Sequence, residues 1–337
     1  MRPWVVSRAG GTRSGGAGGP GSWLLEVGGS ARNPTRLPCI EVLGGLPRQV
    51  FRVFRPRGSS RVQGSSDRLR PRRQQTYLKE RRTMTTVLII GATGQVGRVV
   101  VEEALAREAT VRAQTRSASR ARRRLPRGAE VVEASPSDVD ALCPVLTGAD
   151  AVVLTHGTDS DGRGGATFYD VVRAVIDALD ALGQPTTHVS LMTTMNASHS
   201  ATVTGYEFVE WKRRAERLLR ASGLSYTIVR PGWFDYQGSG DRRIDLRQGD
   251  LVTGQPGVDR HHIAQVLLEG ALNPSGSRRT VEVFSASGSP VTDFEALLAA
   301  TRADEPGSLD GVLDTNNVAL TEEPARVQED VARLAGR

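Results

Sequence analysis

The sequence predicts an α/β fold built on a doubly wound parallel sheet, and three observations predict it. Short β-branched runs alternate with helical stripes from residue 86 onward. The first of these runs opens directly into a glycine turn, "GATGQVG" (91–97). The chain has 337 residues and is 38% hydrophobic, enough for one large α/β core. A strand buried on both faces reads as an unbroken apolar run, and right-handed crossovers carry helices to both sides of such a sheet.

In chain order, "TVLII" (86–90) is the first buried strand, and "QVGRVVVEEALARE" (95–108) places its apolar groups on one helical stripe. "ATVRAQT" and "AEVVEA" read as the second and third strands, "DAVVLT" (150–155) as the fourth, "HVSLMTT" (188–194) as the fifth and "SYTIVR" (225–230) as the sixth. Helical patterns separate them at 166–182 and 206–222. Asp259 is placed to cap a helix beginning "RHHIAQVLL". A last strand follows at 278–286, then a helix near 291–302 and an acidic tail of short helices packed on a C-terminal lobe, to which no chemistry is assigned.

Residues 1–83 behave differently. They hold sixteen arginines and Lys79 against Glu26, Glu41, Asp67 and Glu80, a surplus of 13 positive charges. The net charge of +7 therefore leaves 84–337 at −6, so the basic balance belongs to the front of the chain and does not argue for nucleic-acid binding by the folded part. The extension is rich in Gly, Pro, Ser and Arg and keeps no hydrophobic period. Met84 stands immediately before the first strand like a natural start site. The first expectation is an upstream stretch from a start called too early; a disordered tail and an organelle-targeting segment are the alternatives. No apolar run reaches the roughly 18 residues of a membrane span. Cys39 and Cys143 fit a reducing cytoplasm, and no metal-ligand spacing occurs.

The glycine turn carries the first chemistry. Gly91 turns the chain off the strand, Gly94 allows a diphosphate close to the backbone, and Gly97 lets helix and strand pack without a side chain between them. Thr93, Gln95 and Val96 join them as cofactor contacts, and the helix N-terminus offers N–H groups to phosphate. A site for NAD usually shows an acid at the end of the second strand; here the stretch is "VRAQTRSASRARRR". Arg116 at that strand end would pair with a 2′-phosphate, supported by Arg98 or Arg120, so NADP(H) is expected over NAD(H). The alternative for these arginines is a solvated basic helix.

"GATGQVGR" (91–98) and "WKRRAERLLRASGLSYTIVRPGWF" (211–234), with the strands between them, resemble the atypical short-chain dehydrogenase/reductase superfamily, in its NAD(P)H-binding, NmrA-like branch. The resemblance covers about 84–285. It implies a Rossmann fold of strand order 3-2-1-4-5-6, with a nucleotide domain over 84–232 and a small substrate lobe and tail over 233–337, continuous with it. It also implies a Ser/Thr, a Tyr and a Lys four residues after that Tyr. Lys212 matches the lysine, and it is the one lysine among residues 84–337. The tyrosine position is Phe208, which has no proton to give. Tyr206 lies six residues from Lys212, about 240° around a helix, and should point away unless the helix starts later. The Ser/Thr maps to Thr193 or Thr194. Ser135 stands where the group carries an adenine-reading aspartate, and Gly157 matches a small residue beside the cofactor.

His156 at the mouth of the site is a candidate substrate or nicotinamide contact, and Trp233, Phe234 and Tyr236 form an aromatic cluster where the superfamily builds its substrate pocket. The glycine-rich loop 157–170, with Asp159 and Asp161, is placed to cover the site. His261 and His262 are adjacent and face about 100° apart on a helix, a poor pairing for a metal. The leading expectation is an NAD(P)H-dependent reductase of a small organic substrate. The alternative is an NADP(H)-binding sensor with a protein partner and little catalysis. No self-complementary helix fixes an oligomeric state.

Overall fold

The computed structural model describes residues 85–336 apart from 158–161, 200–203, 252 and 255; the readings made on residues 1–83 and on Asp159 and Asp161 lie outside the described residues. The central sheet contains β1 (Thr86–Ile90), β2 (Thr110–Thr115), β3 (Glu130–Glu133), β4 (Ala151–Leu154), β5 (His188–Met192), β6 (Tyr226–Pro231), β8 (Arg243–Arg247) and β10 (Arg279–Ala286). Their order is β3-β2-β1-β4-β5-β6-β10-β8. The first six strands thus take the 3-2-1-4-5-6 order that the resemblance implies. Every neighbouring pair is parallel except β10 with β8, which runs antiparallel at the edge. A small parallel pair, β7 (Trp233–Phe234) and β9 (Gly257–Val258), stands apart. Residues after 233 thus return to the same sheet through β8 and β10.

Strand periodicity divides the core in two. Leu88, Ile90, Val152, Leu154, Val189 and Leu191 face one side, while Val87, Ile89, Val153, Val229, Val281 and Val283 face the other. On the first side lie α3 (Val139–Leu146), α4 (Asp170–Ala181), α5 (Glu207–Ala221) and α8 (Ala325–Ala335). On the second lie α1 (Gln95–Ala106), α6 (Arg260–Leu272) and α7 (Phe294–Ala299). A short α2 (Ala118–Ala121) follows β2. Asp259 caps α6 as the sequence predicts, its Oδ1 accepting from the His261 N–H at 2.8 Å. His261 and His262 turn to different partners, Glu103 and the Ser285 hydroxyl.

Three elements differ from the sequence expectation. The helix expected over 166–182 begins with a π-helical turn, Gly165–Tyr169, before α4. Gly164 and Gly165 pack so closely on Trp211 of α5 that a Cβ on Gly164 would meet the indole at 2.5 Å. The second half of the glycine-rich loop is therefore helical and packed. The helix expected over 291–302 is only α7, capped by Asp293. The tail's α8 packs on the first-side core through Val327, Val331 and Leu334 rather than on a separate lobe, because those three residues recur at helical spacing and form one apolar stripe.

Candidate functional site

A cleft of about 1150 Å³ opens at the carboxyl ends of the parallel strands, where open α/β sheets place their ligands. Of the residues singled out in the sequence, it is lined by Gly94, Gln95 and Val96 from the glycine turn, and by His156 and Gly157 after β4. Thr193 and Thr194 after β5, and Lys212 on α5, form the next wall. Trp233, Phe234 and Tyr236 close the far side. Gly91, Thr93, Gly97, Arg116 and Ser135 are not part of this lining.

The turn is built for close approach of main chain to main chain. Gly91 has φ +85°, and a Cβ there would lie 2.7 Å from the His156 nitrogen. A Cβ on Gly97 would press on the Gly91 carbonyl oxygen and lie 2.8 Å from Thr155 Oγ1. The glycines thus keep α1 against β1 and β4, with its first turn opening at the cleft. A phosphate-bearing dinucleotide fits this cradle: Gly94 and Gln95 are exposed beside it, and His156 Nδ1 is a buried polar atom with no hydrogen-bond partner among the described residues. Burial, and secondarily the Lys212 charge, hold the His156 imidazole down at about 4 against an opposing backbone hydrogen bond at Phe168. It is neutral at pH 7 and suited to hydrogen bonding rather than to proton donation.

Lys212 Nζ donates to the Thr193 carbonyl at 3.2 Å. The ammonium also lies 5.0 Å from the Phe168 ring centroid and 5.3 Å from that of Phe208, within the range of cation–π attraction. Phe208 thus flanks the lysine where a phenol would have stood. Tyr206 does not point away: it is the N-cap of α5 with extended backbone, and it lines the cleft with its ring 5.4 Å from Phe208. The 240° argument holds only inside a helix, and this helix starts one residue later.

The two threonines part company. Thr193 is 3% exposed and its hydroxyl donates to Glu216 Oε1 at 2.6 Å, away from the cleft. Thr194 is partly exposed on the cleft wall and its hydroxyl makes no hydrogen bond among the described residues.

Sequence reasoning missed the polar floor behind this wall. Asp250, 1% exposed, lines the cleft and accepts from the N–H groups of Asn196 (2.5 Å) and Ser198 (2.8 Å), stapling the loop after β5. His199 also lines the cleft, its Nδ1 3.8 Å from Asp250 and its Nε2 3.0 Å from Asn316. Arg230 is bidentate to Glu216 (3.1 and 2.6 Å) and to Asp314 (2.9 and 2.8 Å), and lies 3.7 Å from both Asp250 and Glu282. Burial works to raise the Glu216 carboxyl, but the Arg230 and Arg220 guanidiniums hold it below its ordinary value. The one signal for these contacts in the sequence is the spacing of Arg213, Arg217 and Arg220 along one helical face opposite an acidic tail.

Glu282 goes the other way. Burial, reinforced by Asp250 against the pull of Arg230, pushes its carboxyl up to about 8. From the ordinary 4.5 up to about 8 the folded chain keeps this proton while the unfolded chain has lost it. Stability from this group is complete below pH 4.5 and declines until about pH 8. Glu282→Gln is expected to remove a slope of up to about 1.4 kcal/mol per pH unit across that window. Urea unfolding of parent and variant from pH 5 to 8 checks it; parallel pH profiles would sink it.

Arg116 and Ser135 are exposed beside the ends of β2 and β3. The sequence shows no acid at the end of β2, but the structure brings one across from β3. Glu133 pairs in register with Thr115, and its carboxylate accepts from the Ala118 N–H at 2.8 Å. Strand register, which sequence pattern alone does not fix here, is what places it.

A family described as NAD(P)H-binding matches residues 91–274. An uncharacterised chloroplastic protein of Arabidopsis thaliana is 26% identical over 241 residues, covering 63% of this chain and 74% of its own length. Protein TIC 62, chloroplastic, of Pisum sativum is 27% identical over 251 residues, covering 65% of this chain and 46% of that protein. The chain thus spans about half of TIC 62. Among solved structures, the oxidoreductase ylbE of Lactococcus lactis superposes with a TM-score of 0.53 at 15% identity, over 64% of this chain and 96% of its own; this likeness shows the fold.

Proposed function

Since the chain belongs to the NAD(P)H-binding family, we propose that it is an NADPH-dependent reductase of a small, flat organic acceptor. The observation that carries this reading is the convergence in one cleft of the glycine cradle, Lys212 and an aromatic wall with no tyrosine at position 208. A bound nicotinamide supplies hydride chemistry. The cradle around Gly91 and Gly97 would hold the diphosphate, Lys212 the nicotinamide ribose, and neutral His156 would offer its free nitrogen to an amide or carbonyl. Thr194, whose hydroxyl makes no hydrogen bond among the described residues, would hold the acceptor oxygen. The rings of Trp233 and Tyr236, edge to face at 6.2 Å, would exclude water from one side of the acceptor.

A positioned general acid supplies about 10²–10⁴-fold in rate. Without a phenol at Phe208, acceptors that take their proton from water, such as quinones, flavins or imines, suit the cleft better than simple ketones. Following absorbance at 340 nm with NADPH and panels of each class tests this. Turnover of ketones alone, with none of the planar acceptors, would count against it. Tight NADPH binding with no turnover at all would favour the second reading, a dinucleotide sensor, which the commitment of the Thr193 hydroxyl to Glu216 supports.

NADP(H) is the proposed coenzyme on the strength of Arg116. Glu133 is its local competitor, because its carboxylate holds the neighbouring amide. Arg116→Ala is expected to weaken NADPH binding by about 10- to 100-fold, the loss of one charged hydrogen-bonding partner, and to leave NADH binding unchanged. Fluorescence titration with both coenzymes measures the ratio. An unchanged ratio would remove the basis for the NADPH preference.

A further inference from the structure

We infer that Glu216 is a positioning residue for Lys212, acting through Thr193, and that the acidic C-terminal segment holds Glu216 in place through Arg230. Thr193 stands one residue past β5, and each of its polar groups is committed. Its N–H donates to the Val229 carbonyl at 2.9 Å. Its hydroxyl donates to Glu216 Oε1 at 2.6 Å. Its carbonyl accepts from Lys212 Nζ at 3.2 Å. Lys212 and Glu216 are four residues apart on α5, so both reach Thr193 from the same helical face. An ammonium on a four-carbon stem has many rotamers, and the rings of Phe168 and Phe208 attract it without giving it one direction. The Thr193 carbonyl gives that direction, and the hydroxyl bond to Glu216 keeps the carbonyl from rotating.

The support extends outward from Glu216. Its Oε2 accepts from Arg230 at 2.6 Å and Arg220 at 3.3 Å. Arg230 is gripped from its other edge by Asp314. Arg220 reaches Asp304, and Glu323 receives Arg213, Arg214 and Arg217 together. These acids lie beyond residue 274, where the family match ends. The segment that carries no chemistry of its own thereby sets the position of the helix that carries Lys212.

The inference rests on the reading that Lys212 faces a bound dinucleotide. Its test is a double-mutant cycle in the full chain, read as NADPH affinity by nicotinamide fluorescence, with thermal melts of each ligand-free variant as a check on folding. The variants are Thr193→Val, which keeps the shape and removes the hydroxyl, Thr193→Ser, which keeps the hydroxyl, Lys212→Ala, and the double variant Thr193→Val/Lys212→Ala. Thr193→Val is expected to weaken binding about tenfold, the scale of one lost hydrogen bond to a charged group. Thr193→Ser restores it, and Thr193→Val has no further effect once Lys212 is removed. Glu216→Gln in the same cycle gives an independent reading with the same expected coupling. Parent-like affinity for Thr193→Val, or losses that simply add to that of Lys212→Ala, would overturn the inference alone. A parent chain that binds neither NADPH nor NADH would overturn the coenzyme reading and this inference with it.

Discussion

Replacing Arg230 by methionine is expected to cost about 3–5 kcal/mol of stability, the scale for breaking a buried ion pair from one side. The side chain is 1% exposed and carries four charge-assisted bonds, two to Glu216 and two to Asp314. Burial opposes its charge, yet Glu216 and Asp314 hold the guanidinium well above its ordinary value. Methionine fills much of the volume and leaves the two carboxylates buried and facing each other, with Arg220 at 3.3 Å from Glu216 as the remaining guanidinium. Arg230→Lys is expected to recover only part of the loss, since an ammonium cannot present two forks at once. Chemical denaturation measures both; a loss below about 1 kcal/mol for the methionine variant would show that Arg230 is not the hub of this network.

Gly97→Val is expected to abolish dinucleotide binding, with a loss of a hundredfold or more, and to destabilise the fold by about 1–3 kcal/mol, the usual range for overpacking. The new side chain would have to displace the Gly91 carbonyl and Thr155 Oγ1, both part of the contact between α1 and the ends of β1 and β4. Relief comes only by moving α1 away from the sheet, which opens the cradle. Titration with NADPH checks the first effect and a melt the second. Binding within tenfold of the parent would mean that the turn plays no part in holding the diphosphate.

The first six strands and β10 were legible as short runs whose alternate residues feed two cores, as Leu88 and Ile89 do, whereas β7, β8 and β9 were not. Lys212 was legible because lysine is nearly absent from the chain. Helix ends were read less well: one residue of difference at the start of α5 returns Tyr206 to the cleft. The choice between Thr193 and Thr194 was not legible, since it depends on Glu216 coming up behind β5. Nor was the polar floor. Arg213, Arg217 and Arg220 carry charge on one helix, yet each is nearly buried. Their acidic partners in the C-terminal segment stand 84 to 110 residues further along the chain. Helical spacing shows that the three share a face, but not which acids they meet at that range.

Glu323 receives three guanidiniums of a helix more than a hundred residues upstream. During synthesis that helix leaves the ribosome long before its counter-ions do. Until the last segment emerges, Arg213 and Arg217 lack Glu323, and the first side of the sheet, faced by α3, α4 and α5, still lacks α8. The nascent chain is therefore expected to remain protease-sensitive when stalled at residue 300 and to become resistant only once the segment that carries Asp304 and Glu323 has emerged. Early resistance of the stalled chain would show that the domain closes without its end.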